Sequence, residues 1–217
     1  DVFDVNGAGV KVGVLSDSYN TILGDMAGDD VVKGDLPGAE NPDFPQAVDL
    51  VAEYPFGTRS DEGRAMLQIV HDVAPGAELA FRTGFLGSAD FAVGIQELAD
   101  AGCDVIVDDI TYISEPFFRD GVVAQAVDAV TADGVSYFSA AGNFGTRSWQ
   151  DSFEGVAPPS GLTGQAHNFA AGEGGSDIYQ SVKVFQGQYT IVLQWDDGTP
   201  GVNTSSDYDI FLSNDDG

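Results

Sequence analysis

Glu78-Leu-Ala-Phe-Arg82, then an amphipathic run from Ala89 to Ala101, then Asp104-Val-Ile-Val-Asp108: this stretch decides the fold. Two short apolar runs of strand length flank a segment with helical periodicity, which is the grammar of a βαβ unit. The alternation continues in both directions. Downstream, Val122 to Ala132 repeats the helical period and Val135 to Ala140 reads as a further strand. Upstream, Val10 to Leu15 is a buried-strand run, and Gly63 to Val73 carries Ala65, Met66, Ile69 and Val70 at helical spacing. Strands alternating with helices of this length predict an α/β fold of three layers, a mostly parallel sheet covered on both faces. Thr21 to Arg59, rich in Gly, Pro and Asp, reads as a long loop insertion with a short element near Ala47 to Val51.

The grammar changes after about Gly155. Pro158, Pro159 and a Gly-rich stretch from Ala171 to Gly175 lead to Gln188-Tyr-Thr-Ile-Val-Leu-Gln-Trp195, whose side chains alternate as a half-buried strand does. Turn-rich residues from Gly198 to Ser206 separate it from a second strand, Asp207 to Leu212. The expected division is therefore a core over 1–155 and the start of an antiparallel β module over 156–217. Trp195 and Phe211 read as its core. The closing Asn214-Asp-Asp-Gly217 is a turn signal, so the sequence is expected to stop partway through a domain.

With 217 residues, 43% hydrophobic and 11% aromatic, the chain can bury a sizeable core. No run approaches the roughly 18 apolar residues of a membrane-spanning helix, and Asp1 to Val5 shows no signal-peptide pattern. Eight basic against 35 acidic residues give a formal charge of -27. Phosphate backbones and anionic lipid repel such a surface, which argues against nucleic-acid and membrane partners. The balance suits a secreted or cell-surface protein, and adaptation to high salt is a sharper reading of it. Cys103 is the one cysteine, so no intrachain disulfide supports the fold, and its place before an apolar strand reads as buried filler.

In parallel α/β sheets the working groups gather beyond the carboxyl ends of the strands. The first strand ends on Ser16-Asp17-Ser18, a later one on Asp108-Asp109, and the last leads to Ala140-Ala-Gly-Asn143; Asp61-Glu62 opens a helix. Asp17, Glu62, Asp109 and Asn143 are thereby expected on one rim. Taken singly, an acid at a helix start is usually a cap or a dipole partner. For Asp109 a solvated strand end is an equal alternative.

These residues also carry a family resemblance. Gly9 to Asp17 is similar to the strand that delivers the catalytic aspartate in subtilisin-like serine peptidases. Gly63 to Ala77, ending Ile69-Val-His-Asp-Val-Ala-Pro-Gly-Ala77, resembles their active-site helix, and Ala140-Ala-Gly-Asn143 their oxyanion-hole segment. The resemblance spans roughly residues 6–155 and implies a subtilisin-like fold. Glu62 stands where that family has its histidine, as in a bacterial subtilase-like group that also shares Val105 to Asp120, and as in the sedolisins. Sedolisins place an aspartate one helical turn later; here that position is Met66, so Asp17 is the expected orienting acid.

The implied activity is endopeptidase hydrolysis of polypeptide substrates, without a required cofactor. No Gly-Thr-Ser-type segment occurs, and Ser148, Ser160, Ser205 and Ser206 lack the flanking glycine and helix that expose a nucleophile. The serine is expected in the remaining C-terminal part of the same protein, and these residues alone are expected to be inactive. A free glutamate is a poor base at neutral pH, with a pKa of about 4.3. A nearby carboxylate raises that value and a helix N-terminus lowers it. His71 lies nine residues past Glu62, half a turn out of phase, and His167 has no evident partner. Asp196, Asp197, Asp207, Asp209, Asp215 and Asp216 are numerous enough for a structural calcium, but their spacing matches no EF-hand loop, which leaves surface charge as the default. Two other classes compete. One is a non-catalytic relative serving as a binding or scaffold module. The other is a nucleotide-binding domain, disfavoured because Gly7-Ala-Gly9 precedes the first strand and cannot cradle a phosphate at a helix start.

Overall fold

The computed structural model describes residues 5–170, 172, 174–197 and 206–213. They fall into two compact units, 1–143 and 144–217. The first unit contains strands β1 (Lys11–Ser16), β2 (Asp49–Ala52), β3 (Glu78–Thr83), β4 (Val105–Asp108) and β5 (Ser136–Ser139). Its helices are α1 (Met26–Lys33), α2 (Glu62–Val73), α3 (Ser88–Asp100) and α4 (Val122–Ala132). All five strands are parallel, in the order β2-β3-β1-β4-β5. The three-layer α/β expectation is met.

Strand parity assigns the two faces. Val14, Leu79 and Phe81 pack with Leu36, Leu67 and, at the margin, Val70 under α1 and α2. Leu15, Ala80 and Ile106 point the other way, onto Phe91, Ile95 and Leu98 of α3 and Val130 of α4. Each of these large side chains contributes about 1.5–3 kcal/mol by leaving water. α3 sits close to the sheet because Gly13 leaves room: a Cβ there would come within 2.9 Å of Cys103 Sγ and 3.1 Å of Leu98.

The Thr21–Arg59 stretch is more ordered than a loop. Asp25 caps α1 by accepting from the Gly28 N–H at 3.0 Å, and Gly34 closes it in the left-handed region with φ 89°. The element expected near Ala47 to Val51 is β2, an edge strand of the sheet.

In the second unit the described ladder is a two-stranded antiparallel pair, β6 (Gly155–Val156) with β7 (Ala166–His167). The strands expected over Gln188–Trp195 and Asp207–Leu212 form no ladder among the described residues. Ile191, Val192 and Leu193 stay exposed on both faces, so neither face gains the burial that pins a strand. Trp195 and Phe211, expected as core, are also exposed, although Trp195 meets Tyr208 edge to face at 5.2 Å between ring centroids. The turn-rich stretch expected over Gly198–Ser206 lies, up to residue 205, outside the described residues, as does the turn at Asn214–Gly217.

Candidate active site

β1 is the switch point of the sheet: the chain leaves it through α1 to β2 on one side, returns through α2 to β3, and crosses through α3 to β4 on the other side. Crevices open at the carboxyl ends of strands where the order reverses in this way. Asp17 is the first residue past β1 and is buried. Its Oδ1 accepts from the Ser18 N–H at 2.6 Å and the Glu62 N–H at 2.9 Å. Its Oδ2 accepts from the Ser60 N–H at 2.8 Å and the Ser60 hydroxyl at 2.6 Å. Four close donors fill the roughly four lone-pair sites of a carboxylate. The expectation of an Asp17–Glu62 carboxyl pair changes accordingly. The link between the two residues is the Glu62 backbone N–H, and Asp17 has no acceptor position left across which to share a proton.

This bond also explains how α2 begins. Asp61, at the cap position, has φ 55° and makes no side-chain cap bond, so Asp17 takes the helix's first free N–H from across the chain. Asp61 turns its buried carboxylate the other way. It accepts from the Ser18 hydroxyl at 2.7 Å, the Thr21 N–H at 2.8 Å, the Thr21 hydroxyl at 2.7 Å and the Ile22 N–H at 3.1 Å. Burial pushes the Asp61 carboxyl up, but these bonds outweigh it and hold the group well below the ordinary carboxylate range. A left-handed non-glycine residue costs on the order of 1–3 kcal/mol and persists only where its surroundings fix it.

Arg64 completes the seat. It bridges Asp61 at 2.6 Å and Asp30 of α1 at 3.0 Å, and donates to the Tyr19 carbonyl at 2.9 Å. Between them Gly63 meets the sheet: a Cβ would press into the ring edge of Phe81 and lie 2.8 Å from the Ser18 carbonyl oxygen. Glu62 is therefore fixed by its backbone on both sides, while its side chain is exposed on the rim.

Asp109 follows β4 in register with the end of β1, where Leu15 pairs with Asp108. The Ser16 hydroxyl donates to Asp109 Oδ2 at 3.1 Å, and Oδ1 is buried with no partner among the described residues. Burial pushes the Asp109 carboxyl up to about 6; the Ser16 hydroxyl opposes the rise, and the negative charges of Glu62 and Asp108 add to it. Asp108 points to the opposite face, where the Ser139 hydroxyl donates to it at 3.1 Å. Burial raises it against the pull of the Tyr137 and Ser139 hydroxyls. Asn143 lies four residues past β5, beyond the same carboxyl edge, and is exposed.

Asp17, Glu62 and Asp109 thus stand together where β1, α2 and β4 meet, with Asn143 on the neighbouring strand's exit. In the sequence, Ser16 and Asp61 stood beside the rim acids with no role assigned to them, and Arg64 was not singled out; these three hold the cluster in place. The available signal was Asp61-Glu-Gly-Arg64 itself, a charged run around a glycine at a helix start. His71 is buried in the last turn of α2 against the Phe44 ring, 5.1 Å between centroids, and does not join the rim. His167 belongs to the second unit, stacked on Phe153. Among the described residues no group of three or more His, Cys, Asp or Glu is arranged to hold a metal ion. No helix there is long and apolar enough to cross a membrane.

No family model matches the chain, and neither does any curated protein. Among solved structures it is similar to one described as PatG macrocyclase in complex with peptide. The identity is 10% and the TM-score 0.36, over 62% of this chain and 50% of that one, so the chain spans half that structure's length. The likeness is too distant to carry residue roles across.

Proposed function

We propose that this chain supplies the acid, base and oxyanion elements of a subtilisin-like serine endopeptidase, with the nucleophilic serine provided by the remainder of the same protein. The observation that carries the reading is the seating of Glu62. Its N–H is held by the acid at the end of β1, and its carboxyl stands exposed on the rim beside Asp109. An apolar trough of about 340 Å³ lies between the C-terminal half of α2 and the sheet, lined by Val12, Ile69, Val70, Val105, Val107 and Phe138 among others. A serine-bearing helix seated there would bury it.

Glu62, ionised, takes the proton of the serine hydroxyl as its oxygen bonds to the peptide carbonyl carbon. The carbonyl π electrons move onto oxygen, where the Asn143 side-chain amide stabilises the oxyanion. As the intermediate collapses, the C–N bond breaks and the leaving amine takes the proton from Glu62. Water then repeats the sequence on the acyl-enzyme and releases the acid. The substrate is a polypeptide, no cofactor takes part, and the acidic surface suits a secreted or cell-surface bacterial protein.

A binding or scaffold module is the second reading. The closed bonding of Asp17 favours it, because an acid that only seats a helix would be bonded in the same way. The two separate in one experiment. Full-length protein is treated with a fluorophosphonate probe, and hydrolysis of an unfolded protein is followed in parallel. The peptidase reading expects labelling of one serine outside residues 1–217, loss of hydrolysis on labelling, and no hydrolysis by residues 1–217 alone. Neither labelling nor hydrolysis between about pH 3 and 8 would leave the binding module standing.

A further inference from the structure

The geometry points to Asp109, not Asp17, as the carboxyl that shares a proton with Glu62 and so positions it as a base. The inference rests on the peptidase reading for its catalytic meaning but not for the pairing itself.

Four observations carry it. Parity places Asp109 on the correct face: Val105 and Val107 line the trough beside α2, and Asp109 is the next residue of that row. Ser16, fully buried on the adjacent strand, ties Oδ2 and thereby sets the carboxyl's direction. Oδ1 is left buried without a partner, and a buried polar atom with no bond is costly unless a proton or a neighbour satisfies it. Asp17, the alternative, has its oxygens filled by Ser18, Ser60 and the Glu62 N–H.

The titratable groups around the pair have defined places. Asp108, from the same strand, lies on the opposite face with Ser139 and Tyr137. Asp61, from the turn before α2, is tied to Arg64, and Asp17 lies at the end of β1. The upward displacement of Asp109 to about 6, caused first by burial and increased by the charge of Glu62, agrees with the pairing. In the working form the pair holds one proton. Asp109 carries it and donates to ionised Glu62, which points the free Glu62 oxygen at the serine hydroxyl. Taking the serine proton brings the pair to two protons, and losing the first leaves two negative charges that repel.

The test is a pH titration of the side-chain carboxyl ¹³C resonances in the full-length protein, run beside a kcat/KM–pH profile. In the wild type, Glu62 and Asp109 should each report the same two steps, separated by at least about one pH unit. In Asp109→Asn, Glu62 should titrate in one step, the alkaline limb of kcat/KM should vanish, and the maximum rate should fall at least about tenfold. Glu62→Gln changes an exposed residue and reads the same coupling from the other side, with the Asp109 midpoint moving down. This arm holds even if Asp109→Asn does not fold. An unchanged Asp109 midpoint in Glu62→Gln, or an unchanged Glu62 curve in Asp109→Asn, overturns the pairing. Coupled titrations in a protein that hydrolyses nothing uphold the pair and refute the peptidase reading. Hydrolysis with independent titrations does the reverse.

Discussion

Replacing Gly63 with alanine sets local propensity against packing, with opposite signs. Alanine in place of glycine favours a helix by up to about 1 kcal/mol. The structure predicts the reverse result. The new methyl would press on the ring of Phe81, itself fully buried, and on the Ser18 carbonyl oxygen at 2.8 Å. Neither neighbour is the free end of a flexible side chain, so α2 must lift or the ring must leave its rotamer. Overpacking costs about 1–3 kcal/mol, and a methyl forced inside contact with two rigid neighbours falls in the upper part, about 2–3 kcal/mol, which leaves a net loss of roughly 1–2 kcal/mol after the propensity gain. For a protein of this size that is a fall in Tm of about 2–8 °C. Lifting α2 also stretches the Glu62 N–H bond to Asp17, so peptidase activity of the full-length protein should fall about 10²-fold for a shift near 1 Å. Gly145→Ala, where nothing lies within 4 Å of the new atom, is the control. It should change stability by less than about 0.5 kcal/mol. Calorimetry of the two variants decides, and a Gly63→Ala protein as stable as the wild type, or more so, would refute the close seating of α2.

Three further outcomes follow from the same contacts. Arg64→Met leaves buried Asp61 without its cation and Asp30 with Lys33 alone, at 3.7 Å, and should cost about 3–5 kcal/mol in urea unfolding, far more than a surface Arg→Met change. Asp109 is raised to about 6, so between its ordinary value and 6 the folded state holds a proton that the unfolded chain has lost. Stability attributable to it therefore falls as pH rises through that window. Asp109→Asn should be close to neutral near pH 3.5 and stabilising above about pH 6.5, as urea midpoints at the two pH values would report. Burial pushes the Cys103 thiol up to about 11, ahead of the smaller effects of Lys11, Asp49 and Asp104. A thiol reagent at about pH 8 should leave the folded protein unmodified and react fully in denaturant, and rapid reaction of the folded form would contradict the packing against Gly13.

The parallel sheet was legible because its signals are local and redundant. The runs at Glu78–Arg82 and Asp104–Asp108 are apolar enough to be buried on both faces, and each lies a helix length from the next. Helix α1 was harder to see. Gly28, Asp29 and Asp30 lower its intrinsic propensity, although the capping pair Asp25 and Gly34 was present to be read. The strands expected around Gln188–Trp195 failed for a different reason: alternation fits a pleated surface, but a strand forms only against a partner, and periodicity does not name one. At the rim, strand-end placement brought Asp17, Glu62 and Asp109 to one place. The pairing proposed for Glu62 was not legible, because three of the four donors around Asp17, and the serine that ties Asp109, come from residues distant in sequence. Ser60 is 43 residues from Asp17, and Ser16 is 93 from Asp109.

The most direct test of the central claim is the rate–pH curve of the full-length protein on a peptide substrate, wild type against Glu62→Gln. With Glu62 as general base, activity should peak under acidic to mildly acidic conditions, where a histidine base would be gaining activity only as pH rises through about 6.5. Glu62→Gln keeps size and shape but removes the base, and should lower the rate by about 10²–10⁴-fold across the profile. Equal rates for the two proteins at every pH would mean that Glu62 only begins a helix, and the account of this site would be wrong.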